Sequence, residues 1–215
     1  MSEPHLTRSR SPQRPLLDVG PSRLAVRPTT IVLPPRVATG RYAVLCADPP
    51  WQFGDKLPGP GRGAAKHYPT LPVSALLSFP VPQMEPDAVL FLWRVSAMQQ
   101  EALDVVRAWG FTLKTEIVWC KTTRRGKRHM GMGRIVRGEH ETCLIATRGK
   151  PKCLVKNMRS TFEAPVRRHS EKPAAFYAIV ESLYRGPYVE LFSRRNRPGW
   201  TSLGNQVGLL DAEAA

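Results

Sequence analysis

The chain has 215 residues, 42% of them hydrophobic and 23% charged, enough for one domain with a substantial core and short for two. Its 32 Lys and Arg against 17 Asp and Glu give a formal net charge of +15. That points to a polyanionic partner, nucleic acid before anionic membrane, with a merely solvated basic surface as the plain alternative. The four cysteines, Cys46, Cys120, Cys143 and Cys153, include no CxxC pair, and three sit in apolar runs. Buried reduced thiols are expected, and neither a metal site nor a disulfide framework. No charged-then-apolar leader opens the chain and no apolar run approaches membrane length, so a cytosolic protein without a membrane partner is expected.

In chain order, residues 1–38 are rich in Arg, Pro and Ser, with Arg8, Arg10, Arg14, Arg23, Arg27 and Arg36 and few acids. They read as a mobile basic arm, either touching phosphates or keeping the chain soluble. A catalytic domain is expected over 39–210, with a short tail over 211–215. Tyr42–Ala47, "YAVLCA", is a continuous apolar run, as a central strand covered on both faces requires. After "DPPW", the stretch "GDKLPGPGRGAAKHYPT" is a Gly/Pro loop and a candidate lid. It follows an acidic corner, contains Pro and does not join a strand to a helix, so its glycines do not read as a nucleotide-binding fingerprint.

"VSALLSF" predicts a short helix and Ala88–Trp93 a second buried strand. "SAMQQEALDVVRAWG" predicts a helix capped by Ser96 and stopped by Gly110, with Leu103, Val106 and Trp109 on one face. "LKTEIVWCK" is a third strand. The Gly-spaced "TTRRGKRHMGMGRIVRG" is a mobile basic loop, and "HETCLIATRG" returns to strand. An irregular stretch leads to a helix in "EKPAAFYAIVESLYRG", with Phe176, Ile179, Val180 and Leu183 on one stripe and Pro173 in its first turn. "PYVELFS" is a strand, and "RRNRPGWTSLGNQV" closes the chain as loop and short strand. Strands alternating with helices indicate an α/β sandwich with a mainly parallel sheet. Ligands of such sheets sit beyond the carboxyl ends of the strands, so Asp48, the Lys121–Arg137 loop and the Arg194–Trp200 loop should converge on one rim.

The residues after the first strand suggest chemistry. Asp48 ends the strand, and Pro49 and Pro50 fix the backbone and remove two N–H donors. What remains is an acceptor-rich corner of one carboxylate and two carbonyls, with Trp51 as a flat stacking surface. Such a corner suits a flat ring carrying two N–H bonds, as adenine does. Acceptors gripping the amine hydrogens can aim the nitrogen lone pair and stabilise charge developing on it. Stacking would hold the base, which must be flipped out or single-stranded. The plain alternative is a rigid turn after a strand.

In order along the chain stand "ADPPW", "KHYPT", "AVLFLW", "WGF", "VWCKT", "GEHE", "EAPVRRHSEKP", "VELF" and "WTSLGNQV". This ordered set, from about Tyr42 to Val207, resembles the MT-A70 family of S-adenosylmethionine-dependent adenine N6-methyltransferases. That family includes the catalytic subunit of the eukaryotic messenger-RNA adenosine methyltransferase and small bacterial and phage proteins, to which this chain is closer. The resemblance implies a Rossmann-like methyltransferase sandwich whose catalytic motif precedes the cofactor-binding region, in a bacterial or phage-infected cell.

It also implies roles. Asp48, Pro49, Pro50 and Trp51 would be catalytic. Asp48, Lys172, Glu190, Arg194, Asn196, Asn205 and Gln206 would meet S-adenosylmethionine, the lysine pairing with a carboxylate and the amides and arginine bonding hydroxyls and ring edges. Each of these has a plain reading as a helix-start lysine, a strand acid or a loop polar group. Lys66, His67 and Tyr68 in the lid, and Arg124, Arg125, Lys127, Arg128, Arg134 and Arg137 in the basic loop, would touch DNA or RNA. Asn196 matches less closely than Arg194, because the loop after "SR" is one residue shorter than in the eukaryotic subunit, and no acid in Thr29–Ala38 matches that subunit's upstream cofactor contact. The favoured reading is methyl transfer to adenine N6, DNA ahead of RNA. The competing one is a non-catalytic nucleic-acid-binding partner, and a homo- or heterodimer with a related subunit is compatible with either.

Overall fold

The computed structural model describes residues 40–53, 70–133, 135–168, 171–205 and 207, all within the compact unit Ile31–Ala215. The basic arm, the lid with Lys66, His67 and Tyr68, and Arg134, Gln206 and the tail lie outside the described residues.

Ten elements follow in chain order: β1 (Tyr42–Ala47), α1 (Val73–Leu77), β2 (Met84–Arg94), α2 (Gln99–Ala108), β3 (Thr112–Thr122), β4 (His140–Arg148), β5 (Thr161–Pro165), α3 (Ala174–Leu183), β6 (Tyr188–Leu191) and β7 (Trp200–Leu203). The strands form one sheet in the order β5-β3-β4-β2-β1-β6-β7. β1 pairs in parallel with β2 and β6, β3 with β5, and β6 with β7; β4 alone runs against both neighbours, β2 and β3. The sheet is therefore mainly parallel, as expected.

The apolar run of β1 is explained by its two buried faces. Leu45 and Ala47 pack on one side with Leu76 of α1 and Ala102, Val105 and Val106 of α2. Val44 and Cys46 pack on the other with Phe176, Tyr177, Val180 and Leu183 of α3. A strand covered by helices on both faces has no position where a polar side chain would reach water.

Three details depart from the sequence reading. Met98 occupies the N-cap position of α2, without a side-chain cap bond, so Ser96 does not cap it; a turn ahead of the helix, closed by Met98 N–H to Val95 C=O, leaves Ser96 upstream. Gly110 does end the helix, at φ +79°. The irregular stretch contains β5, an edge strand too short for alternation to reveal it. Cys46 and Cys143 are buried, but Cys120 is half-buried and Cys153 exposed. Burial pushes both the Cys46 and the Cys143 thiol up, so both stay protonated.

Strand direction decides where the chemistry gathers. β1, β3 and β6 point the same way, so the chain beyond Ala47, Thr122 and Leu191 emerges at one rim. β4 starts at that rim because it is reversed, which brings Glu141 there too.

Candidate active site

Lys172, just before α3, is the hub of the rim. Its Nζ donates to Asp48 Oδ2 at 2.6 Å and lies 3.2 Å from Glu141 Oε2. The ammonium also sits 5.0 Å from the centroid of the Trp93 ring. Glu141 in turn accepts Lys121 Nζ on Oε1 at 2.6 Å. Two carboxylates and two ammonium groups thus alternate across the ends of β1, β3 and β4, and their formal charges cancel. Lys172 is only 8% exposed, a burial a lysine tolerates when opposite charges surround it.

The protonation balance follows. Burial favours neutral Lys172, but Asp48 and Glu141 outweigh it and raise its pKa, so the ammonium persists. Burial also pushes Glu141 up, yet Lys172 and Lys121 together hold it down at about 2. Asp48 goes the other way: burial raises its pKa, Lys172 offsets part of this, and Glu141 adds repulsion. Of the two acids sharing Lys172, Asp48 is the easier to protonate.

Asp48, Glu171 and Lys172 line two clefts, one on either side. The wider, about 690 Å³, is walled by Trp51, Trp93 and Trp119, with Pro49, Lys121 and Glu141 also facing it. The narrower, about 50 Å³, runs along the β6–β7 side past Tyr177, Glu190, Ser193, Arg194 and Arg197. There Glu190 accepts Tyr177 Oη–H at 2.6 Å and Ser193 Oγ–H at 3.0 Å. Burial raises the Glu190 carboxyl despite these bonds. Phe192 turns the chain out of β6 at φ +62°, a left-handed conformation that costs a non-glycine residue about 1 kcal/mol or more. Its ring packs 4.7 Å from that of Phe79, and the turn brings Ser193 under Glu190. Gly204 touches the Ser193 backbone so closely that a side chain there would collide with the Ser193 carbonyl.

The structure refines the acceptor corner. The Pro49 carbonyl already accepts Trp51 N–H at 2.8 Å, and Pro50 accepts Leu71 N–H at 2.8 Å. Pro49 lines the wide cleft and keeps a second lone pair; Pro50 is not among its lining residues and anchors the chain after the lid. Trp51 is 4% exposed and belongs to the core around β1. Its indole N–H donates to the Trp93 carbonyl at 3.0 Å, so it forms a wall of the cleft more than an open platform.

The basic loop is more built than its glycines suggest. Gly126 N–H bonds Thr123 C=O at 2.9 Å, Thr123 N–H bonds Lys127 C=O at 2.7 Å, and Gly131 N–H bonds Gly138 C=O at 2.9 Å. An arm results, with Arg124, Arg125 and Lys127 exposed on its first turn and Arg137 exposed near its return. Arg128 lies 3.5 Å from Glu139. Its tip exposes Met132, Ile135 and Val136, Ile135 almost completely at 96%. His129, Gly131 and Met132 line the wide cleft.

The residues named for a cofactor divide. Asp48, Lys172, Glu190 and Arg194 line the narrow cleft. Asn196, in the loop after β6, and Asn205, just beyond β7, are exposed and are not among its lining residues, and Gln206 lies outside the described residues. Sequence reasoning missed Glu141, Trp93, Tyr177, Ser193 and Arg197. The signal for Glu141 was its place in "GEHE", a polar start to an otherwise apolar strand. Arg197, which lies 3.5 Å above the Tyr177 ring, gave none, since Arg194–Arg197 contains three arginines of one kind. No cluster of His, Cys, Asp and Glu among the described residues could hold a metal ion, and no described helix is long and apolar enough to cross a membrane.

An acid at the end of a central strand, flanked by two clefts at a common rim, defines a Rossmann-like α/β domain of the methyltransferase type. The chain belongs to the MT-A70 family, whose pattern matches residues 42–206. It is 31% identical over 183 residues to the Drosophila melanogaster N(6)-adenosine-methyltransferase MT-A70-like protein, covering 81% of this chain and 29% of that one. The human N(6)-adenosine-methyltransferase catalytic subunit METTL3 is likewise 31% identical over 183 residues, with 81% and 30% covered. The Mycoplasma type II methyltransferase M.MunI is 28% identical over 198 residues, 80% of this chain and 81% of that protein. The chain thus spans under a third of the length of these eukaryotic relatives and about four-fifths of M.MunI.

Proposed function

We propose that this chain is an S-adenosylmethionine-dependent methyltransferase acting on the exocyclic N6 amine of adenine in nucleic acid, with DNA ahead of RNA. The observation that carries the reading is the position of Asp48, held by Lys172 on one oxygen and shared by two clefts of different character. The preference for DNA rests on length alone: the chain covers 81% of M.MunI at 28% identity, against 29–30% of the eukaryotic relatives at 31% identity.

The narrow cleft suits the cofactor chemically. It mixes carboxylates with arginines, as a ligand carrying both an amine and a carboxylate requires. Arg197 Nε is buried without a hydrogen-bond partner among the described residues, and a buried guanidinium N–H left so is costly unless a ligand accepts it. Lys172, Glu190, Arg194, Arg197 and Asn205 would hold the cofactor, with Asn196 and Gln206 as further candidate contacts. Bound S-adenosylmethionine supplies an electrophilic methyl group on a positively charged sulfur.

The protein's own part lies on the other side. Trp51, Trp93 and Trp119 exclude water and leave a slot for a flat ring. Lys172 fixes Asp48 through Oδ2, so Oδ1 is oriented to accept one hydrogen of the amine. The spare lone pair of Pro49 C=O accepts the other. Together they aim the nitrogen lone pair and stabilise positive charge as it develops there. Glu141 orients Lys172, and the arm formed by the basic loop between β3 and β4 carries the phosphates. The exposed apolar tip of that arm supports docking of a second, related subunit, in a homo- or heterodimer; sedimentation of the protein with Ile135→Ser and Val136→Ser tests this.

The activity is tested by tritiated-methyl transfer from S-adenosylmethionine to single-stranded DNA, duplex DNA and RNA of matched sequence. Label in adenine N6, absent with Asp48→Ala, is the expected result. Nucleic-acid binding with neither cofactor binding nor transfer would favour the non-catalytic reading.

A further inference from the structure

The proposed activity needs nucleic acid at the Asp48 rim, yet a second strongly charged surface lies at the opposite end of the sheet. β4 runs against β2, pairing Thr142 with Arg94 and Arg148 with Ala88, so it leaves the sheet far from Asp48. From Arg148 to Arg159 the chain carries Arg148, Lys150, Lys152, Lys156 and Arg159 and no acid. All five are exposed. Arg185, exposed just beyond α3, lines one cleft of about 460 Å³ with Lys150 and Lys152.

None of these six cations makes an ion pair among the described residues. Asp87, the one acid lining that cleft, spends Oδ1 on the Lys150 backbone N–H at 2.7 Å. The contrast with the rim is plain, where Lys121, Lys172 and Arg128 each face a carboxylate. Nor is this a loose tail. Gly149 turns at φ +59° in a space that a side chain could not share with Asp87, and Leu154 N–H bonds Leu183 C=O at 2.9 Å. A pinned backbone presenting unanswered like charges pays self-repulsion that a polyanion relieves, with little ordering left to do on binding.

Cations also bracket the sheet edge between the two surfaces. Arg159 precedes β5 and Arg167 follows it, and a strand of this length spans roughly 17 Å. We propose that residues 148–159 with Arg185 form a second phosphate-binding surface, which holds single-stranded nucleic acid extending beyond the target base. The inference rests on the proposed function for the identity of its ligand.

The test compares single-stranded DNA of about 6 and about 20 nucleotides, each with one adenine, bound by the full chain across a salt series. The variant is Lys150→Gln, Lys152→Gln, Lys156→Gln and Arg159→Gln together. It should bind the short strand as the parent does. It should bind the long strand about tenfold more weakly, with a salt slope flatter by about 0.7 per lost contact. Unchanged long-strand binding overturns the proposal, as does an equal loss for both lengths. Loss of pelleting with phosphatidylserine vesicles without loss of long-strand binding also overturns it, in favour of a membrane. Failure of methyl transfer to every substrate defeats the proposed activity and leaves this binding comparison standing.

Discussion

The two clefts that meet at Asp48 are made of different materials. On the β6–β7 side, polar groups are already bonded to one another, as in the Tyr177–Glu190–Ser193 chain. On the β3–β4 side, three tryptophans wall an open space. The first geometry selects a ligand by matched hydrogen bonds and is narrow until those bonds are exchanged. The second accepts any flat ring and leaves selection to the acceptors at its base. The difference traces to the sheet: the narrow cleft lies between parallel strands, the wide one where β4 reverses and brings Glu141 and the basic β3–β4 loop to the rim. Asp48 is common to both, together with Glu171 and Lys172, and it should fail in a different way from the residues of either side.

That distinction orders the following expectations. Asp48→Ala should cut methyl transfer a hundredfold or more, since one contact to developing charge is lost, while cofactor affinity measured by calorimetry changes far less. Near-parental turnover would remove Asp48 from the chemistry. Trp51→Ala should cost about 3 kcal/mol in urea unfolding because a core indole is removed. Trp51→Phe should cost about 1 kcal/mol, for the bond to Trp93, and keep much of the activity. A stable Trp51→Ala protein that has lost only substrate binding would make this side chain an open stacking platform.

Glu141 supplies a pH test. Its carboxyl is held at about 2, below the ordinary value of about 4.3. The group therefore stabilises the fold fully above pH 4.3, and that contribution is lost as the pH falls towards 2. Asp48, raised by burial, has the opposite sign and offsets part of it. Glu141→Gln should cost about 2 kcal/mol at pH 7 and flatten the stability curve between pH 5 and 2. A curve parallel to the parent's would mean that Glu141 is not coupled to the lysines. Activity should fall on the acid side with a midpoint above the ordinary aspartate value, because protonated Oδ1 no longer accepts.

Arg197→Ala on the narrow side, Lys172→Ala at the shared rim and Asn205→Ala beyond β7 should each weaken cofactor binding about tenfold, the loss of one charge-assisted or polar bond, with nucleic-acid affinity nearly unchanged. The smallest effect expected is at the arm. Changing Arg124, Arg125, Lys127 and Arg128 to Gln should flatten the salt slope of nucleic-acid binding by about 0.7–0.9 per lost phosphate contact, without moving cofactor affinity. The reverse pattern for these two sets of variants would exchange the roles of the two clefts.

The local sequence was enough for several features. "YAVLCA" can only be comfortable with both faces covered, and β1 is so covered. Gly110 marked the end of α2, and the apolar stripe of α3 marked its buried face. The ordered motifs were enough to assign the family, and strand-then-acid was enough to single out Asp48. Tertiary structure alone decided what Asp48 touches. Lys172 lies 124 positions away and Glu141 93 away; the reversal of β4 brings Glu141 to the end of β1, and β5, parallel to β3, ends at the same rim ahead of Lys172. Pairing across such separations depends on strand order, which no local pattern encodes. The same holds for Trp51, whose aromatic surface suggested stacking and whose burial follows from the Trp93 carbonyl on the neighbouring strand. Residue type sets what a group can do; which partner satisfies it first is set by the strand that the fold puts beside it.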